Sequence, residues 1–519
     1  MSRFSLMKES IRRNCIYLNL VLIILLLMGC SSQEGSKKRY NVLFIAVDDL
    51  RPELGCYGKD YISSPNIDRL AERGVLFENA HSQYPWCGPS RASFMTGMYT
   101  NQTKITRNNM NLRNSVPDVI TLGQRFRQQG YQSVRIGKIF HYDNPSAIGT
   151  SGNDDIYSWD QTVNPYGRDK IEEYKINTLV PRKYGAILSW LAADGKDEEQ
   201  TDGIAASEAI ERLDDFANTG TPFFLAVGFF RPHTPFVAPK KYFDLYEREK
   251  IEIPEISSNY LATLPELAVK SVRAKESQLN LEKERAQEIK EAYYATISFV
   301  DAQVGRILDQ LENSGLDKNT VVVFTSDHGY HLGEHGHWQK NTLFENATRV
   351  PLIISAPSSE NKGVKSISPV ELIDLYPTLM DLTNINIPEH VVGKSLQPIM
   401  KNINASVRES ALTRWRKGYS IKTKRYRLTK WGSNGELGYE LYDHKNDKNE
   451  LINLASNKDY SEVMDSLKVA IEQRIADASI KPKGLGRQFA NAKSMYKAKN
   501  ITFGDTHDVN GEINYFKKK

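Results

Sequence analysis

From Tyr40 onward the chain alternates short apolar runs with amphipathic stretches. The run NVLFIAV (41–47) is apolar throughout and ends at Asp48-Asp49, which is typical of a strand buried on both faces. Similar runs predict strands at 131–140, 222–230, 320–327 and 350–357. Helical periodicity covers 64–74, 118–130, 202–218 and 288–315. Strands that alternate with helices predict an α/β fold, with a large, mostly parallel sheet flanked by helices.

The pattern changes near residue 405. The segment 419–431 alternates apolar and basic residues, as an exposed antiparallel strand does, and 432–455 predicts a turn, a strand and the start of a helix. We therefore predict a main domain over 40–404 and a smaller C-terminal α+β subdomain, built on an antiparallel sheet, over 405–519. Residues 143–200 are weakly periodic and rich in Asp, Gly, Tyr and Trp, which predicts a long functional loop.

The first thirty residues predict export. A basic start is followed by an apolar run that is too short for a comfortable membrane span, and the closing LLMGC resembles a bacterial lipobox. This reading makes 1–29 a lipoprotein signal peptide, Cys30 the lipid-anchored first residue and 30–39 a polar tether. The mature protein would then lie in the bacterial cell envelope, in the periplasm or on the cell surface. An ordinary cleaved signal and an uncleaved N-terminal anchor are the alternatives.

The charge of the chain gives no sign of a nucleic-acid partner. The net charge is +5, but four basic residues and one acidic residue lie before Cys30, so the mature chain is nearly neutral. Lys and Arg are spread thinly rather than grouped in blocks.

Cysteine usage leaves two thiols to explain. Cys15 leaves with the signal and Cys30 takes lipid, so Cys56 and Cys87 remain in an exported protein. A Cys56–Cys87 disulfide is the simplest expectation for an oxidising compartment. Cys87 could instead be a buried thiol, a metal ligand or a residue kept for its chemistry.

Acidic residues follow two of the predicted strands. Asp48 and Asp49 end the first strand, and Asp327 and His328 end the strand at 320–327. Ligands gather at the carboxyl ends of strands in an open α/β sheet. A single Asp there would be read as a helix cap or turn former. Two such clusters predict an oxygen-rich site that suits Ca²⁺ or Mg²⁺ better than Zn²⁺.

Histidines and lysines suggest that the same site holds an anion. Four of the ten histidines fall in 327–340, and His141 and His233 each follow a predicted strand. Lys138 and Lys340 would supply positive charge. The loop histidines 331, 335 and 337 are equally consistent with a role in shaping the loop.

Cys87 precedes a predicted helix, SRASFMTGMY, with Pro89 near the first helical position. A helix N-terminus favours anions and lowers the pKa of a thiol. Arg91 lies four residues on and therefore on the same helical face. The spacing differs from the Cys-x-x-x-x-x-Arg loop of phosphatases.

The segment around Cys87 resembles the signature of a known family. CGPSR (87–91) with TG (96–97) is similar to the sulfatase signature, within the alkaline-phosphatase-like superfamily. The closest resemblance is to the iduronate-2-sulfatase branch. It is carried by DDLRPELGCYG (48–58), GKIFH (137–141), RPHTPF (231–236) and SDHGYHLGEHGHWQK (326–340).

The resemblance implies calcium-dependent hydrolysis of sulfate esters. Cys87 would be oxidised to formylglycine (3-oxoalanine), whose hydrate attacks sulfur and then expels sulfate. Ca²⁺ would be held by Asp48, Asp49, Asp327, His328 and residue 87.

The remaining roles are implied in the same way. Arg91 would stabilise the formylglycine oxygen, and Lys138 and Lys340 would neutralise charge on the sulfate. His141 would exchange protons with the diol and His233 would protonate the departing sugar oxygen, although these two roles could be exchanged.

The implied substrate is a sulfated saccharide, first of all a 2-O-sulfated uronic acid of heparin or heparan sulfate, attacked from the chain end. The implied partner is a formylglycine-generating or anaerobic sulfatase-maturating enzyme. A sulfatase for another sugar, a phosphoester hydrolase of the same superfamily and a non-catalytic glycan-binding lipoprotein are the alternatives. Cys56 is then interpreted as a small buried hydrophobic residue.

Overall fold

A computed structural model of the chain describes residues 39–257 and 259–490. The predicted signal peptide, Cys30 and all of the tether except residue 39 lie outside these ranges. Among the described residues, no helix combines the length and apolar character needed to cross a membrane.

The core is an eight-stranded sheet whose central strands are parallel. Asn41–Val47 pairs in parallel with Thr320–Ser326 on one side and with Phe223–Gly228 on the other. Leu352–Ser355 runs antiparallel to both of its neighbours. In spatial order the strands are Val364–Ser366, Val75–Phe77, Leu352–Ser355, Thr320–Ser326, Asn41–Val47, Phe223–Gly228, Gln132–Gly137 and Gln161–Val163. The predicted α/β fold with a mostly parallel sheet is confirmed.

Helices cover both faces of this sheet. Along Asn41–Val47, Leu43, Ile45 and Val47 pack in one hydrophobic cluster with the helices Thr201–Thr219 and Lys283–Asn313. The alternate residues pack in a second cluster with the helices Cys87–Thr96, Leu122–Gln128 and Leu375–Leu382. This alternation explains why the strand is apolar throughout: both of its faces are buried.

The described chain contains further helices. Those of five residues or more are Pro65–Glu72, Glu266–Val272, Gln397–Lys401 and Ser461–Ser479. Those of four residues are Thr100–Thr103, Leu112–Ser115, Arg168–Ile171, Lys240–Phe243 and Glu345–Thr348.

Three small sheets surround the carboxyl edge of the large one. One contains Asn177–Thr178, Ser189–Ala193 and Phe236–Pro239, the second contains Arg349–Val350, Ala80–His81 and Val370–Glu371, and the third is the hairpin His331–Leu332 with Trp338–Gln339. The segment 143–200 is therefore more regular than its sequence predicted. Its strands have two to five residues, which is too short for alternation to be recognised.

The C-terminal antiparallel sheet is confirmed, and its strands are Ala411–Trp415, Gly418–Lys422, Tyr426–Trp431 and Tyr439–Asp443. The single exposed strand expected over 419–431 is wrong, because the backbone turns there. The Thr423 side chain accepts hydrogen bonds from the backbone N–H groups of Arg425 (3.2 Å) and Tyr426 (2.8 Å) and so fixes the turn.

Two further expectations for this subdomain are corrected. The basic side chain of Arg427 is buried, because it pairs with Glu345 and Glu450. The helix expected to start within 432–455 begins instead at Ser461.

Candidate active site

The predicted acids meet at the carboxyl edge of the central sheet. Val47 and Ser326 are paired across two parallel strands, so the residues that follow them are neighbours in space. The backbone N–H of Asp49 donates to Asp327 Oδ1 (3.2 Å), although 278 positions separate the two residues. Asp49 lies in the left-handed region (φ 66°), which is uncommon for a residue other than glycine. The Tyr293 hydroxyl donates to its carbonyl oxygen (2.8 Å) and helps to hold it there.

Cys87 is the first residue of the helix Cys87–Thr96, three residues before Ser90, where the predicted helix begins. Its side chain is fully buried. The sulfur lies 3.1 Å from Lys340 Nζ and 3.3 Å from His328 Nε2. The Ser90 hydroxyl, one turn on, donates to the carbonyl oxygen of Asp327. The helix tip and the second acidic strand end therefore touch directly.

Arg91 connects three parts of the site. Its Nε donates to Asp327 Oδ2 (2.8 Å), and its Nη1 donates to the carbonyl oxygens of Lys138 (2.6 Å) and Ile139 (3.0 Å). Because the side chain is fully buried, these contacts fix it in one orientation.

Both predicted lysines bind acids in the structure. Lys138 Nζ donates to Asp48 and Lys340 Nζ donates to Asp49. Lys340 stands between Gln339 (φ 82°) and Asn341 (φ 78°), two residues in the left-handed region. Backbone strain of this kind persists only where surrounding contacts impose it. Between these two residues, the Lys340 side chain reaches Cys87, with Nζ 3.1 Å from the sulfur.

The two single histidines have different surroundings. His233 Nδ1 contacts the carbonyl oxygen of Thr234 (2.5 Å), which only accepts, so Nδ1 carries the hydrogen and Nε2 lies 3.8 Å from Asp49 Oδ2. His141 Nε2 contacts Asp143 Oδ1 (2.9 Å). Among the described residues, His141 makes no hydrogen bond to Cys87.

The loop histidines support the structural alternative. His331 contacts the Thr342 hydroxyl (2.7 Å), and His335 contacts the Tyr260 hydroxyl. His337 lies between the carbonyl oxygens of Val272 and Lys340, 2.9 Å from each. All three rings are buried, so they brace the loop that carries Lys340.

Three site residues were missed by the sequence analysis: Ser90, Asp143 and Tyr293. Asp143 stands two positions after His141, and this spacing was a usable signal. Tyr293 lies within the 31-residue helix Lys283–Asn313, where the sequence gives no sign of its contact with Asp49.

The disulfide alternative is wrong, because Cys56 and Cys87 are both free thiols. Cys56 is only partly buried and packs against the edge of a core cluster. Burial raises the pKa of its thiol, so it stays protonated and unreactive at neutral pH.

The family model for sulfatases matches residues 40–385, and a model for the C-terminal part of N-sulphoglucosamine sulphohydrolase matches 333–477. The chain belongs to the sulfatase family. This confirms the resemblance, and it makes the chain a sulfuric ester hydrolase.

Named relatives agree with this assignment. This sulfatase is 34% identical over 470 residues to a sulfatase from Formosa agariphila, covering 87% of this chain and 91% of that protein. It is also 34% identical over 422 residues to human iduronate 2-sulfatase, covering 72% of this chain and 75% of that protein.

Solved structures share the fold. A phosphonate monoester hydrolase from Silicibacter pomeroyi is similar with a TM-score of 0.73 at 21% identity, over 88% of this chain and 100% of that chain. A 2-O GAG sulfatase is similar with a TM-score of 0.67 at 23% identity, over 89% of this chain and 100% of that chain.

Burial dominates the electrostatics of the sulfatase site. Burial alone would raise the pKa of Asp48, but Lys138 and the other nearby cations hold it well below its usual value. Burial raises the pKa of Asp49 to about 7, with help from the charges of Asp48 and Asp327. Burial also lowers the pKa of His328 to about 4, so its ring is neutral at pH 7.

The thiol differs from the sequence-based expectation. A helix N-terminus should lower the pKa of Cys87, but burial and the charge of Asp48 raise it well above its usual value. The unmodified cysteine is therefore a protonated thiol and a poor nucleophile.

The residues present fit a hard divalent cation. Asp48, Cys87, Asp327 and His328 each offer a donor atom, and these atoms lie within 4.8 Å of one another. Asp48 Oδ1 and Asp49 Oδ2 are buried without a hydrogen-bond partner among the described residues. Buried carboxylate oxygens without partners are costly, and a cation such as Ca²⁺ satisfies them.

We expect Ca²⁺ to stabilise the folded protein. At a concentration of 100 Kd the gain is about 2.7 kcal/mol, measurable as a rise in Tm after chelated protein is resupplied with the ion. Protons compete for Asp49, so the rise should shrink as pH falls below about 7. Asp327→Asn should abolish it, whereas Asp309→Asn, at an exposed ion pair, should not. An undiminished calcium response in Asp327→Asn would contradict the assignment.

Proposed function

We propose that this sulfatase hydrolyses sulfate esters of a saccharide through a formylglycine at residue 87, with Ca²⁺ as its metal. The observation that carries the proposal is the position of Cys87. It stands at a helix tip, in contact with Lys340 and His328 and within reach of buried carboxylates that fit a divalent cation.

Asp48, Asp49, Asp327 and His328 would hold the cation, which supplies a Lewis acid for the sulfate oxygens. The hydrated aldehyde supplies a nucleophilic oxygen and a second hydroxyl that later expels sulfate. Lys340, 3.1 Å from the sulfur, is placed to neutralise charge on a sulfate bound against residue 87. Lys138 adds positive charge beside Asp48, and Arg91 is fixed one helical turn after residue 87 in the chain.

The contacts of the histidines favour the exchanged assignment of their roles. Asp49, Cys87 and His233 offer donor atoms within 4.8 Å of one another, so His233 is placed to exchange a proton with the diol. His141 instead pairs with Asp143, whose side chain is 62% exposed, and takes the role of proton donor to the leaving oxygen. Burial lowers the pKa of His141, and the hydrogen bond to Asp143 opposes this shift only in part.

For the substrate we propose a 2-O-sulfated uronic acid at the end of a heparin- or heparan-sulfate-type chain, released by exo action. The support is the 34% identity to human iduronate 2-sulfatase.

Protein purified from its native host should carry the modification. The peptide 84–97 should be lighter than its sequence mass by about 18 Da, because sulfur is exchanged for oxygen and two hydrogens are lost. Cys87→Ala should lower kcat by three orders of magnitude or more, roughly the loss seen when a nucleophile is removed. An unmodified thiol at residue 87 in active protein would refute the proposal that a formylglycine is the nucleophile.

A panel of defined sulfated saccharides tests the substrate. We expect kcat/KM to be about tenfold or more higher for a terminal uronate 2-O-sulfate than for a 6-O-sulfated hexosamine, the size of one well-placed recognition contact. A phosphate monoester of the same sugar is included, and faster release of phosphate would favour the phosphoester hydrolase. Sulfate release from the 6-O-sulfated hexosamine alone would refute the proposal that the substrate is a 2-O-sulfated uronic acid.

We further propose that Cys30 carries the lipid that anchors the protein in the cell envelope. Expressed with its own signal, the protein should partition into detergent, and Cys30→Ala should move it to the aqueous phase because two acyl chains are lost. Partition of Cys30→Ala into detergent would instead indicate an uncleaved N-terminal anchor.

A further inference from the structure

Lys275 is a half-buried cation beside the active site. Its Nζ donates to the carbonyl oxygen of Ala186 (2.6 Å) and to Gln339 Oε1. Both acceptors are neutral, and no acid among the described residues forms an ion pair with it. The two lysines of the catalytic site differ in this respect, because Lys138 binds Asp48 and Lys340 binds Asp49.

A polar network fixes Lys275 in place. Gln339 Nε2 donates to Gln278 Oε1 (2.8 Å) and to the carbonyl oxygen of Ala186 (3.3 Å), which turns its Oε1 toward the lysine. Gln278 Oε1 also accepts from the backbone N–H of Leu188 (3.1 Å). Three separate segments of the chain therefore meet at this ammonium group.

The same network is tied to the catalytic machinery. Gln339 directly precedes Lys340, and His337 contacts the carbonyl oxygens of both Val272 and Lys340. Burial and the charge of Lys340 lower the pKa of Lys275 to about 7, and the charge of Asp49 opposes this. Lys275 is thus close enough to the site for its charge to be felt there.

A half-buried ammonium group without a counter-ion is unfavourable, and the substrate can supply the missing charge. An ammonium group has three N–H donors, and the two protein contacts use two of them. An anion that entered the site would accept a hydrogen bond from the third N–H donor. Its negative charge would raise the pKa of Lys275 back toward the usual value of a lysine.

We propose that Lys275, held by Gln339, binds a second anionic group on the saccharide that carries the scissile sulfate. The chemical class is a carboxylate or a further sulfate. This inference rests on the proposed function, since it assumes a sulfated saccharide at residue 87.

The test compares Lys275→Met with the unaltered enzyme, both loaded with Ca²⁺, on three substrates. A 2-O-sulfated uronate offers a carboxylate, glucosamine 2-N,6-O-disulfate offers a second sulfate, and N-acetylglucosamine 6-sulfate offers neither. We expect KM for one or both of the first two to rise about tenfold to a hundredfold more than KM for the third, the size of a charged hydrogen bond. The change in kcat should be similar for all three.

Lys250→Met is the matched control, because it removes the same charge from an exposed ion pair with Glu247. It should leave the ratios between substrates unchanged, and Lys275→Arg should restore part of the loss. Selective loss on the uronate assigns the subsite to a carboxylate, and selective loss on the disulfate assigns it to a sulfate. An equal loss on all three substrates, or none, would overturn the proposal.

Measuring ligand binding without turnover distinguishes failure of this inference from failure of the proposed function. Calorimetry gives the Kd of each of the three saccharides for Cys87→Ala and for the double variant Cys87→Ala/Lys275→Met, neither of which turns the ligand over. A wild-type protein that releases no sulfate would count against the proposed function, and a Lys275-dependent Kd would still support the subsite. Failure of both doubly anionic ligands to bind Cys87→Ala would overturn the subsite.

Discussion

The site is governed by the burial of three carboxyl groups at one edge of the sheet. Asp48, Asp49 and Asp327 are fully excluded from solvent, and this burial, with a smaller contribution from the charges of Asp48 and Asp327, raises the pKa of Asp49. The surrounding cations compensate this charge one for one: Arg91, Lys138 and Lys340. A divalent cation added to that balance would make the site positive overall and so favour the binding of a sulfate ester.

The parallel pairing of two strands makes this concentration of charge possible. Asn41–Val47 and Thr320–Ser326 come from distant parts of the chain, yet their register places the acids that follow both strands side by side at the carboxyl edge of the sheet. The helix that begins at Cys87 approaches from the side, and Ser90 and Arg91 bind it to Asp327. Cys87 is therefore positioned by one of the acids that would hold the metal.

Much of this arrangement was predictable from sequence because it depends on local order. Asp48 and Asp327 directly follow predicted strands, and Arg91 is one helical turn from Cys87, so neighbours in sequence are neighbours in the site. The raised thiol pKa of Cys87 was not predictable, because it depends on complete burial rather than on the helix tip. The same holds for Lys275, whose surroundings come from segments near 186, 278 and 339. The turn at Thr423 was missed because one hydroxyl, rather than a glycine or proline, fixes it.

The enclosure of Cys87 has a consequence for the order of events in biosynthesis. In the folded chain its sulfur is packed against Lys340 and His328 and has no accessible surface. If residue 87 is oxidised as proposed, the enzyme that oxidises it would have to act on the nascent or unfolded polypeptide, where this side chain is accessible. Maturation would then compete in time with folding.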